Sequence, residues 1–141
     1  FDIRAADRVT LRGPEVQLNA RATLSLGMVI HELATNAARH GAFRRPGGRV
    51  SVQWSRVDEG EGDRFRLVWQ ESGGPEVSQP AQEGFGMKLM RSAIEGALDG
   101  TLACAWEPAG LRLVVSLPWR AATEVDYDSE LDPLRHADPL P

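Results

Sequence analysis

His31-Glu32-Leu33-Ala34-Thr35-Asn36-Ala37-Ala38-Arg39-His40-Gly41, HELATNAARHG, decides how this chain is read, because helical spacing puts Glu32, Asn36 and Arg39 on one stripe. At about 100° per residue, Asn36 lies about 40° round the helix from Glu32, and Arg39 about 20° to the other side. Leu26, Ile30, Leu33, Ala34 and Ala37 occupy the opposite face. Such a helix buries its apolar side in a core and turns its polar side to a ligand. Asn19 suits its N-cap and Gly41 its stop, which gives a helix over roughly 20–40. A carboxylate, a carboxamide and a guanidinium in this order suit a nucleotide carrying Mg2+. The ion takes oxygen ligands and keeps several waters, so the Asn36 amide oxygen and phosphate oxygens suffice without a carboxylate cage. Glu32 is then left to orient or deprotonate a nucleophile. Solvation of an exposed helix face accounts for this stripe equally well, so the assignment needs further elements.

A second element is Trp69-Gln70-Glu71-Ser72-Gly73-Gly74-Pro75, where an acid ends a strand and a glycine pair follows. A carboxylate accepts a hydrogen bond from the exocyclic amine of adenine, and Gly73 and Gly74 let a base approach bare backbone. A third is Glu83-Gly84-Phe85-Gly86-Met87-Lys88-Leu89, a glycine loop running into a helix, where backbone amides and Lys88 attract phosphate. Each occurs often as a simple turn or loop. Their order, and their strand and helix settings, give the set its force.

The surrounding pattern is that of one domain. Val9–Leu11, Gly13-Pro14 and Glu15–Leu18 read as a hairpin. Val50, Val52 and Trp54 alternate with polar residues and should pair antiparallel with Phe65–Trp69 across the turn at 59–63. The glycine- and proline-rich stretch 71–86 reads as a surface loop. A helix carrying Met87, Met90, Ile94 and Leu98 follows, closed by Gly100, and then strands near 101–106 and 111–117 that turn at Gly110. About six strands and two substantial helices in mixed order indicate an α/β fold, a two-layer α/β sandwich with a mixed, mainly antiparallel sheet and helices on one face.

Composition narrows the function. A chain of 141 residues, 42% hydrophobic, fits one globular core. No run reaches the roughly 18 apolar residues of a spanning helix, so no membrane contact is expected. Six acids against two arginines in residues 120–141 leave the body balanced and the end acidic, which divides the chain into a domain over 1–119 and an acidic tail over 120–141, expected outside the core. No basic stripe interleaved with aromatics supports nucleic-acid binding. Cys104 is the sole cysteine, so no disulfide or zinc cluster forms within the chain, and a reducing, cytoplasmic setting is expected. Phe1 at the start points to a piece of a longer protein.

Taken together over roughly residues 8–118, these motifs resemble the catalytic and ATP-binding domain of sensor histidine kinases, and in particular the HWE family. The signature residues are His31 in HELATNA and Trp69 with Glu71 in WQE, followed by GFG and by Trp106, Gly110-Leu111 and Leu117-Pro118. The resemblance implies a Bergerat-type ATP-binding fold with ATP and Mg2+ as ligands. It places Asn36 on the metal, Glu32 and Asn36 in catalysis, Glu71 on adenine, and Gly84, Phe85 and Gly86 in the lid. His31, Arg39, His40, Gly73, Gly74 and Lys88 complete the expected nucleotide contacts. Arg39-His40 stand where the family commonly has lysine and tyrosine, and Met87-Lys88 where it has threonine and arginine. Charge is conserved at both basic positions, although Arg and Lys differ in fork geometry.

The implied reaction is transfer of the ATP γ-phosphoryl group to a histidine on a separate dimerisation and phosphoacceptor domain, with a response regulator downstream. His31 itself is not expected to be the acceptor, since it sits inside the ATP-site helix. The alternatives are a nucleotide-responsive binding module without transfer, and a serine protein kinase of the anti-sigma-factor type.

Overall fold

The computed structural model describes residues 7–125. Five strands form one sheet: β1 (Val9–Arg12), β2 (Arg49–Asp58), β3 (Asp63–Ser72), β4 (Thr101–Glu107) and β5 (Gly110–Pro118), in the order β1-β2-β3-β5-β4. The helices are α1 (Ala20–Arg39), α2 (Phe85–Arg91), which runs on into a π turn over Ser92–Gly96, and the short α3 (Trp119–Thr123), with a single 3-10 turn over Ala42–Arg44 between α1 and β2. Among the described residues no helix is long and apolar enough to cross a membrane.

The hairpin expected at residues 8–18 does not form. β1 pairs parallel with β2, Val9 opposite Val50 and Leu11 opposite Val52. A parallel pair requires a crossover, and α1 is that crossover, so β1-α1-β2 is one βαβ unit. Residues 15–18 therefore form no strand, and the sheet has five strands rather than six. The Gly13-Pro14 pair marks where the chain leaves the sheet edge. A Cβ at Gly13 would overlap the Trp54 ring, and the Trp54 indole N–H donates to the Pro14 carbonyl at 2.7 Å.

The antiparallel pairings follow the alternation of the sequence. Val50, Val52 and Trp54 meet Glu71, Trp69 and Leu67, while Phe65, Leu67 and Trp69 meet Leu117, Val115 and Leu113 on the other side. Strand residues point alternately to the two faces, so these side chains share the face covered by helices. Buried residues of α1 fall at Ala22, Leu26, Val29, Leu33 and Ala37, a spacing of three and four that lays one stripe on the sheet. Leu33 is fully buried, and truncating it to alanine costs about 2–5 kcal/mol.

Both ends of α1 are tied down. Asn19 Oδ1 accepts from Ala22 N–H at 2.8 Å, the expected cap, while the Asn19 amide donates to the carbonyls of Ala121 and Glu124. Those contacts bring the start of the acidic segment onto the domain. Ala122 is fully buried, so the chain stays packed through α3, past residue 119. The remainder of the expected tail, 126–141, lies outside the described residues.

Candidate functional site

A cavity of about 660 Å³ opens between α1, the end of β3 and the start of α2, within the size range of small-molecule sites. The helix stripe read from the sequence faces it: Glu32, Asn36 and Arg39 all line the wall, with His40 and Gly41 beyond them. Glu71 closes one end. Gly84, Phe85 and Gly86 line the other side, and Met90, Cys104, Trp106 and Leu111 complete an apolar wall. Three segments separated by some 35 and 13 positions in sequence thus converge because α1 lies across the sheet over the end of β3.

Glu71 is the most constrained acid of the site. It is 3% exposed, continuing the inward face of Phe65, Leu67 and Trp69. Burial of a carboxylate is costly unless hydrogen bonds replace its water. Both oxygens are so served: Oε1 accepts from Ala42 N–H at 3.0 Å and Oε2 from the Trp69 indole N–H at 2.9 Å. Since i and i+2 share a strand face, Trp69 and Glu71 are placed to make that bond by the strand itself. Each oxygen retains acceptor capacity for a donor in the cavity.

Gly41 is required here for a reason other than the one expected. The helix ends at Arg39 with His40 as its cap, and Gly41 has φ −117°, outside the left-handed region. Its missing side chain instead makes room for Glu71, because a Cβ at this position would overlap the Oε1 atom.

Across the cavity from Glu71, a Cβ on Gly86 would lie 2.7 Å from Glu32 Oε2, so the glycine brings α2 against the carboxylate of α1. Arg91, unmarked in the sequence reading, also lines the cavity and holds this side together. Its guanidinium donates to Glu83 Oε1 at 2.6 Å, to Glu95 Oε1 at 3.1 Å and to the Leu102 carbonyl at 2.9 Å. The bond to Glu83 is the main cause of a raised Arg91 pKa. Arg91 falls one helical turn after Met87 and one before Glu95, a spacing that could have marked it. Cys104 nearby has its thiol pushed up to about 11 by burial, with Arg91 pulling it down, so it is a neutral wall group.

Four expected contacts do not line the cavity. His31 is exposed on α1, about 100° round from Glu32. Lys88 is exposed beside Glu83, Arg91 and Glu95 in a shallow depression on the outer side of α2, about 200° from Gly86. Gly73 and Gly74 pack against backbone at Gly47 and Ala42 and so support the wall from behind. Among the described residues no group of three or more His, Cys, Asp or Glu is arranged to hold a metal ion.

The architecture is that of a histidine kinase catalytic domain. It superposes on the catalytic domain of the histidine kinase ThkA with a TM-score of 0.57 at 16% identity, covering 78% of this chain and 77% of that one. The histidine kinase domain of a blue-light-activated histidine kinase from Erythrobacter litoralis gives 0.59 at 24% identity, covering 79% of this chain and 54% of that one. In sequence the chain is homologous to blue-light-activated histidine kinases of the HWE type. It is 44% identical over 118 residues to blue-light-activated histidine kinase 1 of Erythrobacter litoralis, covering 82% of this chain and 31% of that protein. With the blue-light-activated histidine kinase of Brucella anthropi it shares 36% identity over 133 residues, covering 94% of this chain and 27% of that protein. The chain therefore spans less than a third of these relatives. No family model matches it.

Proposed function

We propose that this chain is the ATP-binding catalytic domain of a two-component sensor kinase, and that it transfers the ATP γ-phosphoryl group to a histidine of a separate dimerisation and phosphoacceptor domain, which then feeds a response regulator. The observation that carries the reading is the shared cavity: a buried, hydrogen-bonded carboxylate at one end, and Glu32 with Asn36 facing a glycine lid at the other. An adenine amine is a donor that Glu71 can accept, whereas guanine presents a carbonyl at the same position. ATP is therefore preferred over GTP.

Asn36 is the residue to hold Mg2+, through its amide oxygen, with Arg39 and His40 beside it for phosphate. When bound, the metal neutralises phosphate charge. Glu32, one turn before Asn36, orients the acceptor imidazole or takes its proton. Gly84, Phe85 and Gly86 cover the phosphates. His31 is exposed and does not line the cavity, and the acceptor is read as a histidine of the separate domain.

Titration of the chain with ATP, with and without Mg2+, tests the assignment. Asn36→Ala should remove the metal-dependent part of the affinity, worth about tenfold or more, and leave the fold intact. Unchanged metal dependence in the variant would contradict it. The serine-kinase and binding-module alternatives gain no specific support from the cavity.

A further inference from the structure

Arg8 lies outside the cavity wall, yet it grips the loop that holds Glu71. Its Nε donates to the Gly48 carbonyl at 2.9 Å, and its Nη2 donates to the carbonyls of Ala42, at 3.2 Å, and of Arg45. The guanidinium also sits over the Phe43 ring, 5.2 Å from its centroid. One side chain thus gathers three carbonyls of the segment that joins α1 to β2. A planar fork of donors suits such a cluster of acceptors. Backbone bonds share the work at two of them, since the Arg45 carbonyl also accepts from Gly48 N–H at 3.0 Å and the Ala42 carbonyl from Arg45 N–H at 3.5 Å, which leaves the Gly48 carbonyl and the anchoring of the turn to Arg8.

The residue at the centre of this grip is Ala42. Its carbonyl is bound by Arg8, and its N–H is the donor to Glu71 Oε1. Glycines leave it no slack: a Cβ at Gly48 would overlap the Ala42 carbonyl, and one at Gly74 would lie 2.6 Å from its Cα. A shift of this loop by a few tenths of an ångström therefore changes the bond to the buried carboxylate directly.

We propose that Arg8 is a positioning residue for base recognition, fixing the Ala42 N–H and through it the Glu71 carboxylate. This rests on the reading of Glu71 as the adenine acceptor. Without Arg8 the Gly48 carbonyl loses its side-chain donor and those of Ala42 and Arg45 keep only their backbone partners, so the turn is less firmly held and the Ala42 N–H is less precisely aimed at Glu71 Oε1. The carboxylate then adopts several orientations in place of one. Affinity for the adenine edge falls, while the triphosphate contacts on α1 and the lid stay as they were. The signature is a loss of discrimination between bases rather than a uniform loss of binding.

The test measures dissociation constants for Mg-ATP and Mg-GTP on the whole chain and on Arg8→Ala, Arg8→Lys, Glu71→Gln and the double variant Arg8→Ala/Glu71→Gln, with thermal unfolding of each. Arg8→Ala should cut the ATP-over-GTP ratio by about tenfold, the equivalent of one charge-assisted hydrogen bond. Arg8→Lys should recover part of the ratio, because an ammonium reaches one or two of the carbonyls. The double variant should discriminate no worse than Glu71→Gln alone, as expected for two residues acting in series. If Arg8→Ala weakens ATP and GTP equally, or lowers stability alone, Arg8 is structural and the proposal is overturned. If Glu71→Gln keeps the full preference for ATP, the adenine reading of Glu71 fails first and the proposal falls with it. Should Arg8→Ala not fold, Arg8→Lys carries the same comparison at reduced amplitude, and an unchanged ratio in it would overturn the proposal.

Discussion

The two ends of the cavity are built by different means. At the Glu71 end every partner is backbone or a buried ring: the Ala42 N–H, the Trp69 indole and the absent side chain of Gly41. At the lid end the ties are ion pairs of partly exposed side chains, Arg91 with Glu83 and Glu95, beside a Phe85 that is 81% exposed. Buried, fully satisfied polar groups hold one geometry, because leaving any of them unpaired is costly. Exposed ion pairs contribute little and reform readily. The Glu71 end is therefore the more firmly built, and the Gly84–Gly86 end the more loosely tied; under the proposed function the first recognises the base and the second admits and releases the nucleotide.

Three substitutions probe this contrast. The largest effect is expected from Gly41→Val, whose side chain occupies the space of the Glu71 carboxylate. Overpacking of this kind costs about 1–3 kcal/mol of stability, and ATP binding in calorimetric titration should fall below detection. Retained binding with normal ATP preference would show that the carboxylate end is not rigid. Trp69→Phe should come next: it removes the indole donor and leaves a buried carboxylate oxygen with one partner fewer, at about 1–3 kcal/mol. A lowered unfolding temperature should accompany a reduced ATP-over-GTP ratio. The smallest effect is expected from Glu83→Gln. Arg91 keeps Glu95 and the Leu102 carbonyl, so stability should change by less than about 1 kcal/mol and base preference should not change. A large stability loss here would mean that the lid is as tightly built as the other end.

The same contrast separates what was legible in the sequence from what was not. Periodicity located α1, the β2–β3 and β4–β5 pairings and the stripe of Glu32, Asn36 and Arg39, because those features depend on residues close together in sequence. The parallel pairing of β1 with β2 did not announce itself. Val9–Leu11 followed by Gly13-Pro14 has the local look of a hairpin arm, and only the long-range crossover through α1 decides otherwise. Helical phase accounts for His31 and Lys88 lying off the cavity wall: each was grouped with its motif by adjacency, although about 100° or 200° of rotation turns it away. Glu71 was found from its place at a strand end, but its donors Ala42 and Trp69, and Arg8 behind them, are 29, 2 and 63 positions away. Of these, only Trp69 stood in the motif. Gly41 was read as a helix stop, whereas the atom that requires it to be glycine comes from β3.

Under the proposed function this chain transfers the γ-phosphoryl group of ATP and receives none on the helices that build the site. Incubation with γ-labelled ATP and Mg2+, alone and with an acceptor domain carrying an exposed histidine, tests it most directly. The account predicts no stoichiometric label on the chain itself, and acid-labile label on the added domain that is lost in Asn36→Ala and retained in His31→Ala. Acid-stable label on the acceptor, or acid-labile label on this chain that disappears in His31→Ala while ATP binding persists, would contradict it.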